Sequence, residues 1–395
     1  MTNLLFLSFY YRPDLCAGSF RATPLVNALS KLAGTDVRIE VLTTWPNRYA
    51  TFAEDCAETE QIGNVSVRRI KLPAHRSDMV GQSRGFYTFA KEVNKLTRGK
   101  HYDMVFATSS RLLTASLGAW VARKKRARLY LDIRDIFADT IGEIMPQPAA
   151  FFAGSFFGLV ERLTMRRAVN INLVSRGFEP YFRKRYPDKS FTWITNGIDP
   201  EFIDASESVA VSSPGPDVPT VLYAGNVGEG QCLHEIIPQL ARALEGKANF
   251  IVIGDGGRRQ QLADAIAAAG VCNVELQPPV GRERLIEQYK EADVLFLHLG
   301  AYRAFEKVLP SKLFEYGAMG KPILAGVSGF SARFVNEELS NSGVFTPCDV
   351  DDAVRAFESL RLADSPRPQF VQKYSRENLS TELARDILDR MESTA

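Results

Sequence analysis

Glu306-Lys307-Val308-Leu309-Pro310-Ser311-Lys312-Leu313-Phe314-Glu315-Tyr316-Gly317-Ala318-Met319-Gly320-Lys321-Pro322-Ile323-Leu324-Ala325 is the stretch on which the fold turns. A Ser-Lys pair after Pro310 opens a helix over Lys312–Ala318, and Pro322–Ala325 is a short apolar strand. Another apolar strand, Val294–Leu299, comes before it. Strand, helix, strand in that order is the βαβ unit of a parallel sheet.

The alternation continues outward. Thr220–Ala224 and Asn249–Ile253 read as strands, with Leu233–Leu244 helical between them. Ahead of them, Pro214–Pro219 is a Pro/Gly/Ser-rich loop or linker. The residues before the linker repeat the pattern. Strands fall at Asn3–Phe9, Val37–Thr43, Val65–Lys71, Met104–Ala107, Arg128–Ile133 and Ala168–Val174, and helices at Phe20–Lys31 and Leu112–Ala122. A chain of 395 residues has room for two such domains. We expect an N-terminal domain over 1–200 and a C-terminal domain over 201–375. Residues 376–395 should form a last helix, able to pack back on the N-terminal domain.

Composition is that of an ordinary globular protein, with 45% hydrophobic and 24% charged residues. The N-terminal Met1–Asp14 lacks a basic region and a small-residue cleavage site, so it reads as a buried strand and not as a signal peptide. No apolar run reaches the length of a membrane span. Five cysteines, an odd number with no C-x-x-C pair, argue against a disulfide framework and a zinc site and fit a reducing cytoplasm. The histidines at 75, 101, 234 and 298 show no metal spacing. Charge is uneven: residues 1–200 hold 29 Lys and Arg against 18 Asp and Glu, and residues 201–395 hold 19 against 28. A basic half suits an anionic membrane surface, with Arg123–Arg126 and Arg162–Arg167 as candidate contacts, or is simply solvated charge.

In open α/β sheets ligands bind beyond the carboxyl ends of the strands, so the loops there are where function is sought. Gly18 and Ser19 follow the first strand, at a helix start suited to an anion or to a plain N-cap. Asp132, Arg134, Asp135 and Asp139 cluster after another strand, either as a ligand-facing set or as an internal ion pair. Gly225 and Asn226 open a glycine-rich loop whose amides can cradle phosphate. Gly254 and Arg258 follow the next strand, where Arg258 can pair with a phosphate or stand exposed. Ser311, Lys312 and Leu313 begin the helix quoted above and together favour a diphosphate. Glu315, one turn on, can accept bonds from two ribose hydroxyls or complement the helix dipole. Asp349-Val350-Asp351-Asp352 has metal-motif spacing but precedes a helical run, so N-capping is the better reading.

Taken in order, YYRPDLCAGSFRATPL (10–25), LDIRDIFADT (131–140), TNGID (195–199), LYAGNVGEGQ (222–231), VIGDGG (252–257), EADVLFLHL (291–299) and PSKLFEYGAMGKPIL (310–324) resemble the retaining glycosyltransferases of family 4. More narrowly, SFYYRPDLCAGSFR, the Arg134-Asp135 pair and PSKLFEY resemble bacterial L-fucosamine (N-acetyl-L-fucosamine) transferases of O-antigen and capsule synthesis. The resemblance implies the GT-B fold, two Rossmann-like domains facing across a cleft. It implies a UDP-sugar co-substrate bearing an N-acetylated amino sugar, a lipid-linked saccharide acceptor, no metal cofactor and no nucleic acid. The place implied is the cytoplasm, peripheral at the inner face of the plasma membrane. By position, Arg134, Asp135 and Lys312 are the implied catalytic residues. The implied donor-binding set is Gly18, Gly225, Asn226, Gly254, Arg258, Lys307, Ser311, Leu313 and Glu315. Two departures stand out. The family places a second glutamate eight residues before the ribose-binding one, and here that position is Lys307, beside Glu306. The lysine usual after the 225 loop is replaced by Gln231. A UDP-sugar epimerase of similar architecture and an inactive nucleotide-sugar-binding subunit are the competing readings.

Overall fold

The computed structural model describes residues 2–14, 16–46, 56–73, 79–109, 112–136, 149–207 and 217–392. His75, Asp139 and residues 214–216 of the expected linker lie outside them. The chain forms two compact units, one of residues 1–196 with 376–395, the other of residues 197–375.

The described strands of the first unit are β1 (Thr2–Leu7), β2 (Val37–Thr44), β3 (Thr59–Ile62), β4 (Val65–Ile70), β5 (Met104–Thr108), β6 (Arg128–Ile133), β7 (Asn170–Leu173) and β8 (Phe191–Thr192). They form one sheet in the order β3-β4-β2-β1-β5-β6-β7-β8. Every pairing is parallel except β3 with β4. The central strands are apolar runs because helices cover both faces, and β5 is buried along its whole length. Helix Ala17–Ala33 lays Ala22, Leu25, Val26 and Leu29 on the sheet. The last helix, Arg376–Glu392, packs beside it, and Leu383, Ala384 and Ile387 join the same core. Polar contacts secure that helix: the Tyr130 hydroxyl and the Asn170 amide (3.0 Å) both donate to Asp386.

The second unit carries β9 (Thr220–Ala224), β10 (Asn249–Ile253), β11 (Val274–Gln277), β12 (Val294–His298), β13 (Ile323–Gly326) and β14 (Ser342–Phe345). Their order is β11-β10-β9-β12-β13-β14, all parallel. Its core gathers Val221, Phe250, Val252 and Phe296 from the strands with Ile236, Ile237 and Leu240 from helix Leu233–Ala243.

Both sheets have a point where successive crossovers turn opposite ways, between β1 and β5 and between β9 and β12. The loops at the carboxyl ends of these strands splay apart and leave a crevice for ligand. Each unit therefore offers one such position.

Candidate donor site and its neighbours

In the second unit, β9 runs into Gly225. A Cβ on Gly225 would lie 2.3 Å from Lys312 Cε and 2.7 Å from its Nζ, so the lysine side chain crosses the bare glycine. The loop after β10 nests under this one. A Cβ on Gly254 would fall 1.8 Å from the Gly225 carbonyl oxygen. The Gly225 and Val227 amides donate to Ile253 O (2.8 Å) and Asp255 O (2.9 Å), and the Arg258 amide donates to Val227 O (2.9 Å). Gln231, standing where a lysine was expected, braces the loop by accepting from the Asn226 side chain (2.9 Å) and the Gly228 amide (3.2 Å). The Tyr223 hydroxyl donates to Asn226 O at 2.7 Å.

Lys312 begins helix Lys312–Ala318 and is half-buried. Burial lowers its ammonium from the ordinary lysine range, against the opposing charge of Glu315. Among the described residues it has no hydrogen-bond or ion-pair partner. A partly dehydrated cation without a protein partner is poised for an anionic ligand. The backbone contributes less than the sequence suggested. The Leu313 and Phe314 amides are used in a tightened first turn, donating to Pro310 O (3.2 Å) and Ser311 O (3.1 Å). Ser311 makes no side-chain cap.

Glu315, three residues on, accepts from the Tyr289 hydroxyl at 3.4 Å. Tyr289 is fully buried and packs edge-on against Tyr316, with ring centroids 5.3 Å apart. Beyond them, Arg282 pairs with Asp199 and lies over the Phe202 ring at 5.0 Å. Burial would lower the Arg282 guanidinium, but Asp199, then Glu201 and Glu315, together hold it above its usual range. Arg282 and Tyr289 carry no motif signal, and only the fold brings them to Glu315.

Other sequence candidates take different places. Arg258 is half-buried, ion-paired with Glu229 and bonded to Gln261 at 2.6 Å. Glu306 and Lys307 end the 3₁₀ turn Arg303–Lys307, with Glu306 exposed, Lys307 half-buried, and the Glu306 carbonyl against Gly329. His298 is buried between the Phe296 and Phe345 rings. Its Nε2 accepts the Cys348 amide (3.0 Å), so Nδ1 carries the proton and donates to Gln231 O (2.7 Å). Burial drives its pKa down to about 4, and its place is structural. Asp349 caps helix Val350–Glu358, accepting the Asp352 amide at 2.9 Å.

In the first unit the acidic cluster divides. Asp132 is buried and satisfied: Arg21 grips it with two bonds (2.9 and 2.8 Å), and Asn172 (2.8 Å) and Thr108 (3.2 Å) donate to it. Burial alone would raise its carboxyl, but the Arg21 charge and these bonds outweigh burial and leave it below the usual range. Arg134 differs. Its Nε is buried and, among the described residues, without a partner; its amide donates to Ser109 Oγ (2.9 Å), and burial followed by the Arg21 charge lowers its guanidinium. Gly18 lies beside it and close under Tyr10: a Cβ there would press on the Tyr10 side chain at 3.1 Å and only touch Arg134 Nη1, at 3.4 Å. Asp135 stands exposed; loss of hydration pushes its carboxyl up to about 6 against the pull of Arg134, a shift that its solvent access discounts.

The first unit also exposes apolar surface. On helix Ala149–Arg167, Phe156 (59% exposed), Leu159 (55%) and Leu163 (63%) share one face. Beside them Arg162, Arg166, Lys184 and Arg185 line a recess. No described helix is long and apolar enough to cross a membrane.

Comparison with known proteins agrees with this architecture. Residues 22–197 match the family model for a glycosyl transferase 4-like domain, and residues 206–378 match the model for glycosyl transferases group 1. WcaI of Escherichia coli K12, named as a colanic acid biosynthesis glycosyl transferase, is 31% identical over 102 residues. That match spans 25% of this chain and 24% of WcaI. Sucrose-phosphate synthase from Thermosynechococcus elongatus superposes with a TM-score of 0.72 at 15% identity, covering 100% of both chains. HepE of Anabaena, solved in complex with UDP and glucose, gives 0.67 at 16% identity, covering 98% of this chain and 100% of its own. At such identities the structural likeness speaks to the fold.

Proposed function

The chain belongs to the glycosyltransferases of the GT-B fold, and we propose that it moves an N-acetylated amino sugar from a UDP-sugar to a lipid-linked glycan in bacterial surface polysaccharide synthesis. The observation that carries this reading is the unpartnered Lys312 ammonium lying across Gly225, three residues from Glu315. Lys312 meets the donor diphosphate, and Glu315, steadied by Tyr289, accepts from the ribose hydroxyls. The UDP complex of HepE and the polysaccharide role in the name of WcaI support the donor and pathway classes.

The transfer proceeds with retention. The bond between the anomeric carbon and the diphosphate oxygen breaks, and the acceptor hydroxyl oxygen attacks from the same face. Its proton passes to the departing phosphate. Lys312 stabilises the charge that builds on that phosphate, which is the task a preorganised cation performs best where water is scarce. Within the first unit, Arg134, half-buried with its Nε buried and without a partner among the described residues, and Asp135 are the candidates for contact with a sugar. No metal enters this scheme.

The acceptor's lipid places the enzyme at an anionic membrane. The exposed Phe156, Leu159 and Leu163 would enter the headgroup boundary, with Arg162, Arg166 and Arg167 beside them.

A thermal-shift screen of nucleotide sugars tests the donor. UDP-N-acetylamino sugars should raise the melting temperature, and Glu315→Ala should abolish both the rise and the transfer. Preference for GDP-sugars, isomerisation of the UDP-sugar without acceptor, or an undiminished rate in Glu315→Ala would overturn the reading.

A further inference from the structure

Cys232 and Cys348 are 116 positions apart in sequence, yet their sulfurs and a Glu235 carboxylate oxygen all lie within 4.8 Å of one another. Cys232 and Glu235 share the first turn of helix Leu233–Ala243 and its cap, a spacing that puts both side chains on one face. Cys348 comes from the turn between β14 and helix Val350–Glu358.

Three features show that the sulfurs are held there. Cys232 and Cys348 both adopt the left-handed backbone conformation, with φ of 45° and 64°, which non-glycine residues adopt only at an energetic cost. Gly300 makes room for one sulfur, since a Cβ there would sit 2.5 Å from Cys232 Sγ. The Cys348 amide is anchored on buried His298 Nε2 at 3.0 Å, which fixes the turn bearing the second sulfur. The Cys232 thiol donates to Glu229 O at 3.1 Å.

We propose that Cys232, Glu235 and Cys348 bind one divalent cation of the zinc class, tying the loop after β9 to the loop after β14. Two thiolates and a carboxylate make a borderline-soft donor set matched to zinc, with a fourth, tetrahedral position left to water. Ligand atoms in such a site stand roughly 3.3–3.8 Å apart, from metal bonds of about 2.0–2.3 Å. The present spread therefore needs only a small contraction. Binding displaces two thiol protons to solvent. Without a cation the two sulfurs are neutral thiols, as the Cys232 donation to Glu229 O shows, so the metal competes with two protons for the site. The site is separate from Lys312 and Glu315, and it stands whether or not the donor reading does.

The test uses the full chain, reduced, stripped of metal and kept free of oxygen. Cobalt(II) serves as the probe. One equivalent should produce a sulfur-to-cobalt charge-transfer band with tetrahedral visible bands, and zinc should abolish both. Saturating zinc should shield two of the five cysteines from a thiol reagent and raise the melting temperature. Cys348→Ser and Cys232→Ser should each weaken binding at least 100-fold, and Cys272→Ser should change nothing. Glu235→Gln, at an exposed position that leaves the fold intact, should keep the charge-transfer band with affinity lowered about 10-fold. A cobalt spectrum without the charge-transfer band, or a band that survives both serine variants, overturns the proposal. So does a Cys232–Cys348 disulfide that forms on air exposure in protein that takes up no metal.

Discussion

Replacing Gly225 with alanine should disarm Lys312 without touching its charge. The new Cβ would stand 2.3 Å from Lys312 Cε and 2.7 Å from Nζ, where carbon contacts normally begin at about 3.5 Å. The end of the lysine must therefore withdraw by about 1 Å. It is the flexible tip of a long side chain, so it can move, and the consequence falls on the position of the ammonium. A charge-assisted hydrogen bond contributes about 1.5–3 kcal/mol, so losing it should weaken UDP binding roughly 10- to 150-fold. Lys312→Ala should bring a loss of the same order. The decisive measurement is calorimetric UDP titration of Gly225→Ala, Lys312→Ala and the double variant. If Gly225 acts through the lysine, the double variant should lose little more than either single one, a coupling of about the same 1.5–3 kcal/mol. Alanine at the Gly225 φ of 155° also strains the backbone, so the fold is followed separately by urea denaturation. Additive losses, or UDP affinity in Gly225→Ala equal to that of the parent, would refute the reasoning.

Three further outcomes are expected. Asp132→Ala leaves Arg21 buried without its carboxylate and should destabilise the first unit by about 3–5 kcal/mol in urea denaturation; a loss under about 1 kcal/mol would show that the pair is not buried as described. Above about pH 6.5 His298 is neutral in both folded and unfolded chains, but between there and about pH 4 only the unfolded chain takes up the proton. Stability should therefore fall with pH through that window, by about 3 kcal/mol in full, and His298→Gln should flatten that part of the profile; an unchanged slope would rule the residue out as its source. Leu159→Ser with Leu163→Ser should cut sedimentation with anionic vesicles at least 10-fold, given about 1.5–3 kcal/mol per buried leucine, whereas binding that ignores both the substitutions and salt would remove this face from consideration.

Much of the fold was legible because the central strands are buried on both faces. Asn3–Phe9, Met104–Ala107 and Val294–Leu299 therefore read as apolar runs. Edge strands gave no such signal. β3 and β11 are Thr-Glu-Gln-Ile and Val-Glu-Leu-Gln, and neither buries a single residue fully. No helix was legible at Ala149–Arg167, where Phe156, Leu159 and Leu163 are exposed and mark no core-facing stripe. For the site, strand ends located the loops, and the motif located Lys312 and Glu315. Sequence could not separate Asp132 from Asp135, which differ in burial and in whether Arg21, from elsewhere in the unit, reaches them. Spacing arguments also set the cysteines aside, because they count along the chain and Cys232 and Cys348 meet across it.

The helix Arg376–Glu392 has a consequence for how the protein is made. Its Leu383, Ala384 and Ile387 complete the hydrophobic core of the unit whose first strand is Thr2–Leu7. A ribosome therefore finishes the second unit before it releases the piece that closes the first. Domains ordinarily fold in order of synthesis. Here the first unit must wait, with the side of helix Ala17–Ala33 that the last helix packs against uncovered, while about 180 further residues are translated. That interval is when a chaperone would have most to shield. A chain stopped after residue 375 would keep every loop of the candidate donor site and still lack a finished first domain.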